Sequence, residues 1–173
     1  MTLSSNVSVR LAVAADAQFL PAIEQSAGEL FRTLPDLAWI ADEPIGTAEE
    51  FLPLIRAGTV WVAQSGTSGI VGELRGGIAD DCLHIVELAV ERAFQQQGIG
   101  RALIDAAATW SRSRGLRALT LTTFRHVAWN APFYARYGFV ELPRESDVRL
   151  KAILIRETAH GLPNRCAMRF ELK

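Results

Sequence analysis

Hydrophobic positions alternate in short steps over residues 7–14, which predicts an opening strand. Asp16 follows where a helix cap belongs, ahead of Phe19, Leu20, Ile23, Ala27, Leu30 and Phe31 at helical spacing. Over residues 35–44 the periodicity lapses, and two prolines, Asp42, Glu43 and an isolated Trp39 predict a loop. A second helix is expected after Thr47, with Glu49 and Glu50 in its first turn, where the helix dipole favours carboxylates; it should end at Gly58. Three apolar runs of strand length then follow, at 59–64, 70–74 and 83–90. Residues 66–69 and the pair Asp80-Asp81 separate them as turns, giving an antiparallel meander.

Residues 98–114 fit an amphipathic helix, with Ile99, Leu103, Ala106, Ala107 and Trp110 on one stripe and Gly115 as its stop. Beyond it the pattern predicts a strand at 116–123, a short helix at 132–137 ended by Gly138, and a short strand at 139–142. A helix at 148–158 and a strand at 166–172 complete the chain. The order β-α-α-β-β-β-α-β-α-β-α-β is that of a mixed α/β sheet of about seven strands with helices on its faces.

Composition narrows the function classes. A chain of 173 residues with 49% hydrophobic and 21% charged side chains has enough apolar material for one core, so a single domain over 1–173 is expected. A net charge of −1 leaves no basic excess to hold a nucleic acid. No apolar run reaches the ~18 residues of a membrane span, and residues 1–9 are too polar for a secretory signal, so a cytoplasmic location is expected. Cys82 and Cys166 read as buried small hydrophobes in a reducing compartment. Three scattered His and no C-x-x-C predict no metal site.

The chemistry concentrates at residues 85–102, I-V-E-L-A-V-E-R-A-F-Q-Q-Q-G-I-G-R-A, an apolar strand, a polar arm, and glycines opening a helix. Gly98 and Gly100 either make a tight connection or let a ligand approach the helix N-terminus, whose N–H groups and dipole favour a pyrophosphate. Arg101-Ala102 after Gly100 excludes a P-loop, and Leu103 in place of a third glycine excludes a dinucleotide fingerprint.

Gln95-Gln96-Gln97-Gly98-Ile99-Gly100 resembles the Q/R-x-x-G-x-G/A acetyl-CoA loop of the GNAT (GCN5-related N-acetyltransferase) superfamily, behind a strand ending Leu88-Ala89-Val90 as in that family. Phe133-Tyr134-Ala135-Arg136-Tyr137-Gly138-Phe139 is similar to the family's second motif, F/L-Y-x-x-x-G-F. The two motifs cover about a third of the chain, in the family's order and spacing. One position departs: where many members carry Asn, seven residues before the Tyr, this chain has Val127. Asn130 either contacts the pantetheine arm in its stead or caps the short helix.

The resemblance implies an acetyl-CoA-dependent N-acetyltransferase in which the amine attacks the thioester directly. Pantetheine would pair with the backbone of Leu88, Ala89 and Val90, where that strand splays from its neighbour, as a peptide adds to a sheet edge. The diphosphate would rest on the amides of Gln96, Gln97, Gly98, Ile99, Gly100, Arg101 and Ala102, with Gln95 opening the loop. Arg101 either adds charge there or faces solvent. In relatives the Val90 N–H often stabilises the oxyanion. Tyr134 is the implied general acid for the departing thiolate, since a phenol with a reference pKa of about 10 is protonated at neutral pH; its alternative is to pack against Phe133 or Phe139. Glu87, a carboxylate inside an apolar strand, is a candidate base, as is His84, at a position where some relatives carry one. Glu87 reads equally as half of an ion pair with an arginine.

Trp39 and Trp129 can flank an acceptor pocket, with residues 31–44 as one wall, and Asp36, Asp42 and Glu43 would favour a cationic acceptor or simply be solvated. A small-molecule amine is the expected acceptor. The alternatives are a lysine or N-terminal amine of a protein, and a non-catalytic acyl-CoA-binding regulatory domain, against which Tyr134 argues. Relatives often dimerise, so a homodimer is an expectation.

Overall fold

The computed structural model describes residues 6–173, so the predicted absence of a signal falls partly outside it, at residues 1–5. Seven strands are present: β1 (Val7–Leu11), β2 (Val60–Ser65), β3 (Gly69–Ala79), β4 (Cys82–Val90), β5 (Ala118–Phe124), β6 (Val140–Glu141) and β7 (Arg165–Glu171). Five α-helices join them: α1 (Leu20–Gly28), α2 (Ala48–Arg56), α3 (Ile99–Ser113), α4 (Ala131–Tyr137) and α5 (Val148–Ala159). The strands form one sheet in the order β1-β2-β3-β4-β5-β7-β6. It is mixed, with β4 and β5 parallel while β1–β2, β2–β3, β5–β7 and β6–β7 are antiparallel. The predicted element order therefore stands. Among the described residues no helix is long and apolar enough to cross a membrane.

Two compact units divide the chain. The first comprises the chain up to Gly76 with Glu87–Ala107. Here α1 and α2 set Leu20, Ile23, Phe51 and Ile55 against Val60, Val62 and Ala89 of the sheet, a fully apolar cluster. Helix α2 starts as the sequence predicts, in a capping box: Thr47 N–H donates to Glu50 Oε2 at 2.7 Å and Glu50 N–H to Thr47 Oγ1 at 3.4 Å. Helix α3 buries Ile99, Leu103 and Ile104. It passes so close to β3 that a Cβ on Gly72 would lie 3.2 Å from Ile99 Cγ2, so a side chain there would require Ile99 to give by a few tenths of an ångström.

Three expectations need correction in this unit. Asp16 does not cap α1; it lies within a 3-10 turn, Ala14–Phe19, and its carboxylate accepts from the Val13 N–H (2.7 Å) and from both Nη atoms of Arg10 (2.7 and 2.9 Å). Residues 35–44 are not a plain loop, because Pro35–Asp42 forms a 3-10 helix behind a shorter one, Glu29–Thr33. Leu34, Leu37 and Ile40 recur every third residue, the repeat that a 3-10 helix stacks on one side. The strand expected at 70–74 runs on to Ala79.

The second unit comprises Gly77–Val86 and Ala108–Lys173. Strands β5 and β7 pair over their full seven residues, and α5 covers them through Leu150 and Leu154, packed on Ala167. Glu157 of α5 accepts from Thr122 Oγ1 (2.6 Å) and from Arg165 Nε and Nη2 (3.0 and 2.8 Å), tying the helix to both strands. The parallel register of β4 with β5 covers Cys82↔Ala118, Leu83↔Leu119 and His84↔Thr120. Cys82 and Cys166 are free thiols, both buried as expected.

Candidate active site

The cofactor motif sits in the first unit. After β4 the chain makes a short 3-10 turn, Arg92–Phe94, anchored by the Arg92 N–H on Ser26 Oγ (3.1 Å). Gln95 folds its side chain back so that Nε2 donates to the Val90 carbonyl at 3.0 Å, closing the arm onto the end of the strand. Gln96 and Gly98 both adopt positive φ, 60° and 82°. This turns the backbone sharply, and at Gly98 only glycine does so without strain. The first bond of the following helix runs from the Ala102 N–H to the Gly98 carbonyl (3.0 Å). The helix N-terminus thus opens at Gly98, where the first N–H groups of a helix point away from its own carbonyls. Arg101 is exposed, with Asp105 one turn on at 3.9 Å.

Glu87, also in this unit, is half-buried, and its Oε1 accepts from the N–H of Leu88 at 3.2 Å. Near it lies a charge cluster that the sequence reading missed. Glu73 of β3 is fully buried, and Arg75 Nε lies 3.0 Å from its Oε2, too poorly aligned for a hydrogen bond. Arg75 also pairs with Glu24 of α1 and stacks over the Phe51 ring at 4.1 Å. Burial pushes the Glu73 carboxyl up to about 8; Arg75 opposes this, while Glu87 and Glu24 add to it. The signal was present in Gly72-Glu73-Leu74-Arg75-Gly76, two charges inside an apolar strand.

The remaining candidates belong to the second unit. His84 Nδ1 lies 3.1 Å from Thr120 Oγ1, which also accepts from Arg149 Nη2 at 3.2 Å. Burial first, and then the charge of Arg149, hold the imidazole at about 4, against weaker pulls from Glu157 and Asp147. Tyr134, in α4, is 8% exposed and meets Phe133 and Phe139 edge to face at centroid distances of 5.1 and 5.5 Å. Tyr137 packs separately, on Phe139 and Phe170. Asn130 stands at the N-cap position of α4 but makes no side-chain capping bond; its carbonyl accepts from the N–H groups of Phe133 and Tyr134. Capping by the Asn130 side chain is therefore corrected. Asp42 is not merely solvated either, because Arg32 clamps it (2.7 Å) together with Glu29 (2.9 Å). Among the described residues no group of three or more His, Cys, Asp or Glu is placed to hold a metal ion.

The family model of the acetyltransferase (GNAT) domain matches residues 56–141, which include the cofactor loop and Tyr134. Ard1 from Thermoplasma volcanium superposes with a TM-score of 0.68 at 21% identity, covering 97% of this chain and 99% of that one. Rv2747 from Mycobacterium tuberculosis, solved with CoA, gives 0.71 at 20% identity, over 96% and 99% of the chains. The PaiA N-acetyltransferase from Thermoplasma acidophilum, in complex with coenzyme A, gives 0.70 at 15% identity, over 95% and 98%. With residues 56–141 matched by the family model and a mixed seven-stranded sheet, the chain belongs to the GNAT acetyltransferase superfamily.

Proposed function

We propose that this protein transfers the acetyl group of acetyl-CoA to a primary amine, with a small molecule as acceptor, in a single catalytic domain. The observation that carries this reading is the turn from Gln95 into the N-terminus of α3, with its two positive-φ residues and the first helical bond from the Ala102 N–H to the Gly98 carbonyl. It supports a diphosphate there, with Leu88, Ala89 and Val90 holding the pantetheine.

The acceptor enters as an ammonium, since a free amine of the lysine type has a pKa of about 10.4. Glu87 takes one proton, and the amine lone pair then attacks the thioester carbon as the N–C bond forms. The Val90 N–H stabilises the oxyanion. As the C–S bond breaks, sulfur keeps its electron pair and takes the Tyr134 proton, while the second amine proton restores the phenol. One proton is left over and leaves Glu87 for water. His84 is the other candidate base, and burial holds its imidazole at about 4. Ring packing on both sides of Tyr134 is compatible with the acid role, because it fixes the direction of the hydroxyl.

The test is a thiol-release screen of amines, polyamines, amino acids and peptides with acetyl-CoA. Turnover with small amines is expected. Turnover with peptides alone would favour the protein-modifying reading, and CoA binding without release from any amine would favour a regulatory domain.

A further inference from the structure

The reaction above leaves unused a cavity of about 320 Å³ in the second unit. Short ties fix its walls. The Arg125 N–H, just past β5, donates to the Asn164 carbonyl at 2.8 Å, and the Leu142 N–H, just past β6, donates to the Ala167 carbonyl at 2.9 Å. Between β6 and α5 the chain turns at once, where the Ser146 N–H and Oγ both donate to the Pro143 carbonyl (3.0 and 2.7 Å), and this turn carries Arg144. Leu142, Leu154 and Leu162 give the cavity an apolar lining. Arg125, Arg144, Arg165 and Glu141 line it as well. Arg125 holds Glu141 through Nε and Nη2, and Arg165 holds Glu157 through the same two atoms. Two carboxylates thus balance two of the three arginines. Arg144 is exposed and has no partner among the described residues, so one positive charge is left over. The Nη1 atoms of Arg125 and Arg165 and the side-chain amide of Asn164 are likewise without a hydrogen bond among the described residues.

We propose that this cavity is a second binding site, which takes a small organic molecule with one carboxylate on an apolar body. The carboxylate meets the Arg144 guanidinium, whose planar fork of donors matches it two bonds at a time. The body lies against Leu142, Leu154 and Leu162. A concave site with an apolar lining and a few converging polar groups is the usual form of a small-molecule site, and this one stands at the small end of the range. At the roughly 30 Å³ that one water takes in the liquid, it holds about ten non-hydrogen atoms. A single negative charge matches the single uncompensated arginine. Thr158, also in the lining, stands near the C-terminal end of α5, the negative end of the helix dipole, which disfavours a dianion. Inorganic phosphate would moreover leave the apolar lining uncovered.

The experiment is an amide NMR titration of the full chain without acetyl-CoA, so its failure leaves the acetyl-transfer reading untouched. The probes are phenylacetate, which has the right size, phenylacetamide, which has the same shape and no charge, and inorganic phosphate. Phenylacetate should shift the amides of Arg144, Leu162 and Cys166 in a saturable way. Phenylacetamide, which lacks the charge, and phosphate, which lacks the body, should each bind at least about tenfold more weakly. Arg144→Gln changes an exposed side chain and keeps the fold; it should weaken phenylacetate at least about tenfold and leave phenylacetamide as it was. No saturable shift at these amides overturns the site. Equal binding of phenylacetate and phenylacetamide, or Arg144→Gln binding phenylacetate as the wild type does, overturns the role of Arg144 and the carboxylate with it. Phosphate bound more tightly than phenylacetate overturns the apolar body.

Discussion

Thr120 and His84 stand directly opposite each other in the parallel ladder of β4 and β5, and the Thr120 hydroxyl lies 3.1 Å from the imidazole Nδ1. Arg149 donates to the same hydroxyl, so a cation stands behind the ring. The imidazole is held at about 4, below its ordinary 6.5, by burial and by that cation. The unfolded chain therefore binds a proton at His84 at a pH where the native chain does not. Stability from this site is complete above about 6.5 and falls as pH drops toward 4, by an amount on the order of 2–3 kcal/mol. Urea unfolding at pH 7.5 and 4.5 should show this fall in the wild type and a smaller one in His84→Gln.

Asp16 has the opposite sign. The Arg10 fork first, and the Val13 N–H with it, hold its carboxyl below the usual range. Its contribution is present above the ordinary carboxylate pKa and lost as pH falls through the lowered native value. Asp16→Ala should cost about 1–3 kcal/mol at neutral pH, since it removes the charge-assisted bonds from Arg10 and the acceptor of the Val13 N–H, and the difference from wild type should shrink in acid. Thermal unfolding at several pH values checks both statements.

At the cofactor turn, a side chain on Gly98 would meet both the strain of φ 82° and the approach path to the amides. An added carboxylate there would also repel a diphosphate. Calorimetry should find acetyl-CoA binding weakened at least ~100-fold in Gly98→Asp, roughly 2.7 kcal/mol, in a chain that still folds. Unchanged affinity in the folded variant would place the diphosphate elsewhere.

Tyr134→Phe keeps the ring that packs on Phe133 and Phe139 and removes only the hydroxyl. General acid help is typically worth ~10²–10⁴-fold, so turnover should fall at least about tenfold while affinity for acetyl-CoA stays nearly constant. Tyr137→Phe, on a separate aromatic contact, is the control and should change turnover far less. Full turnover in Tyr134→Phe at every pH would reduce Tyr134 to a packing residue.

What the sequence determined by itself was the part of this protein written in local periodicity and contiguous motifs. The 2-residue and 3.6-residue repeats name seven strands and five helices in order, because each element must put its apolar side on one face. Thr47 announces α2, and Gln95 to Ala102 announces the turn into α3, because caps and glycine turns act within a few residues. Tertiary structure decided the rest. The segment at 29–42 became two 3-10 helices because Pro35, Leu37 and the Arg32 clamp on Glu29 and Asp42 are satisfied in that tighter form. Glu73 acquired Glu24 and Glu87 as charged neighbours only through the packing of distant segments, and His84 acquired Thr120 and Arg149 from segments 36 and 65 residues away in sequence. Proton affinity depends on burial and on charges a few ångströms away, and neither quantity is defined until distant segments have packed.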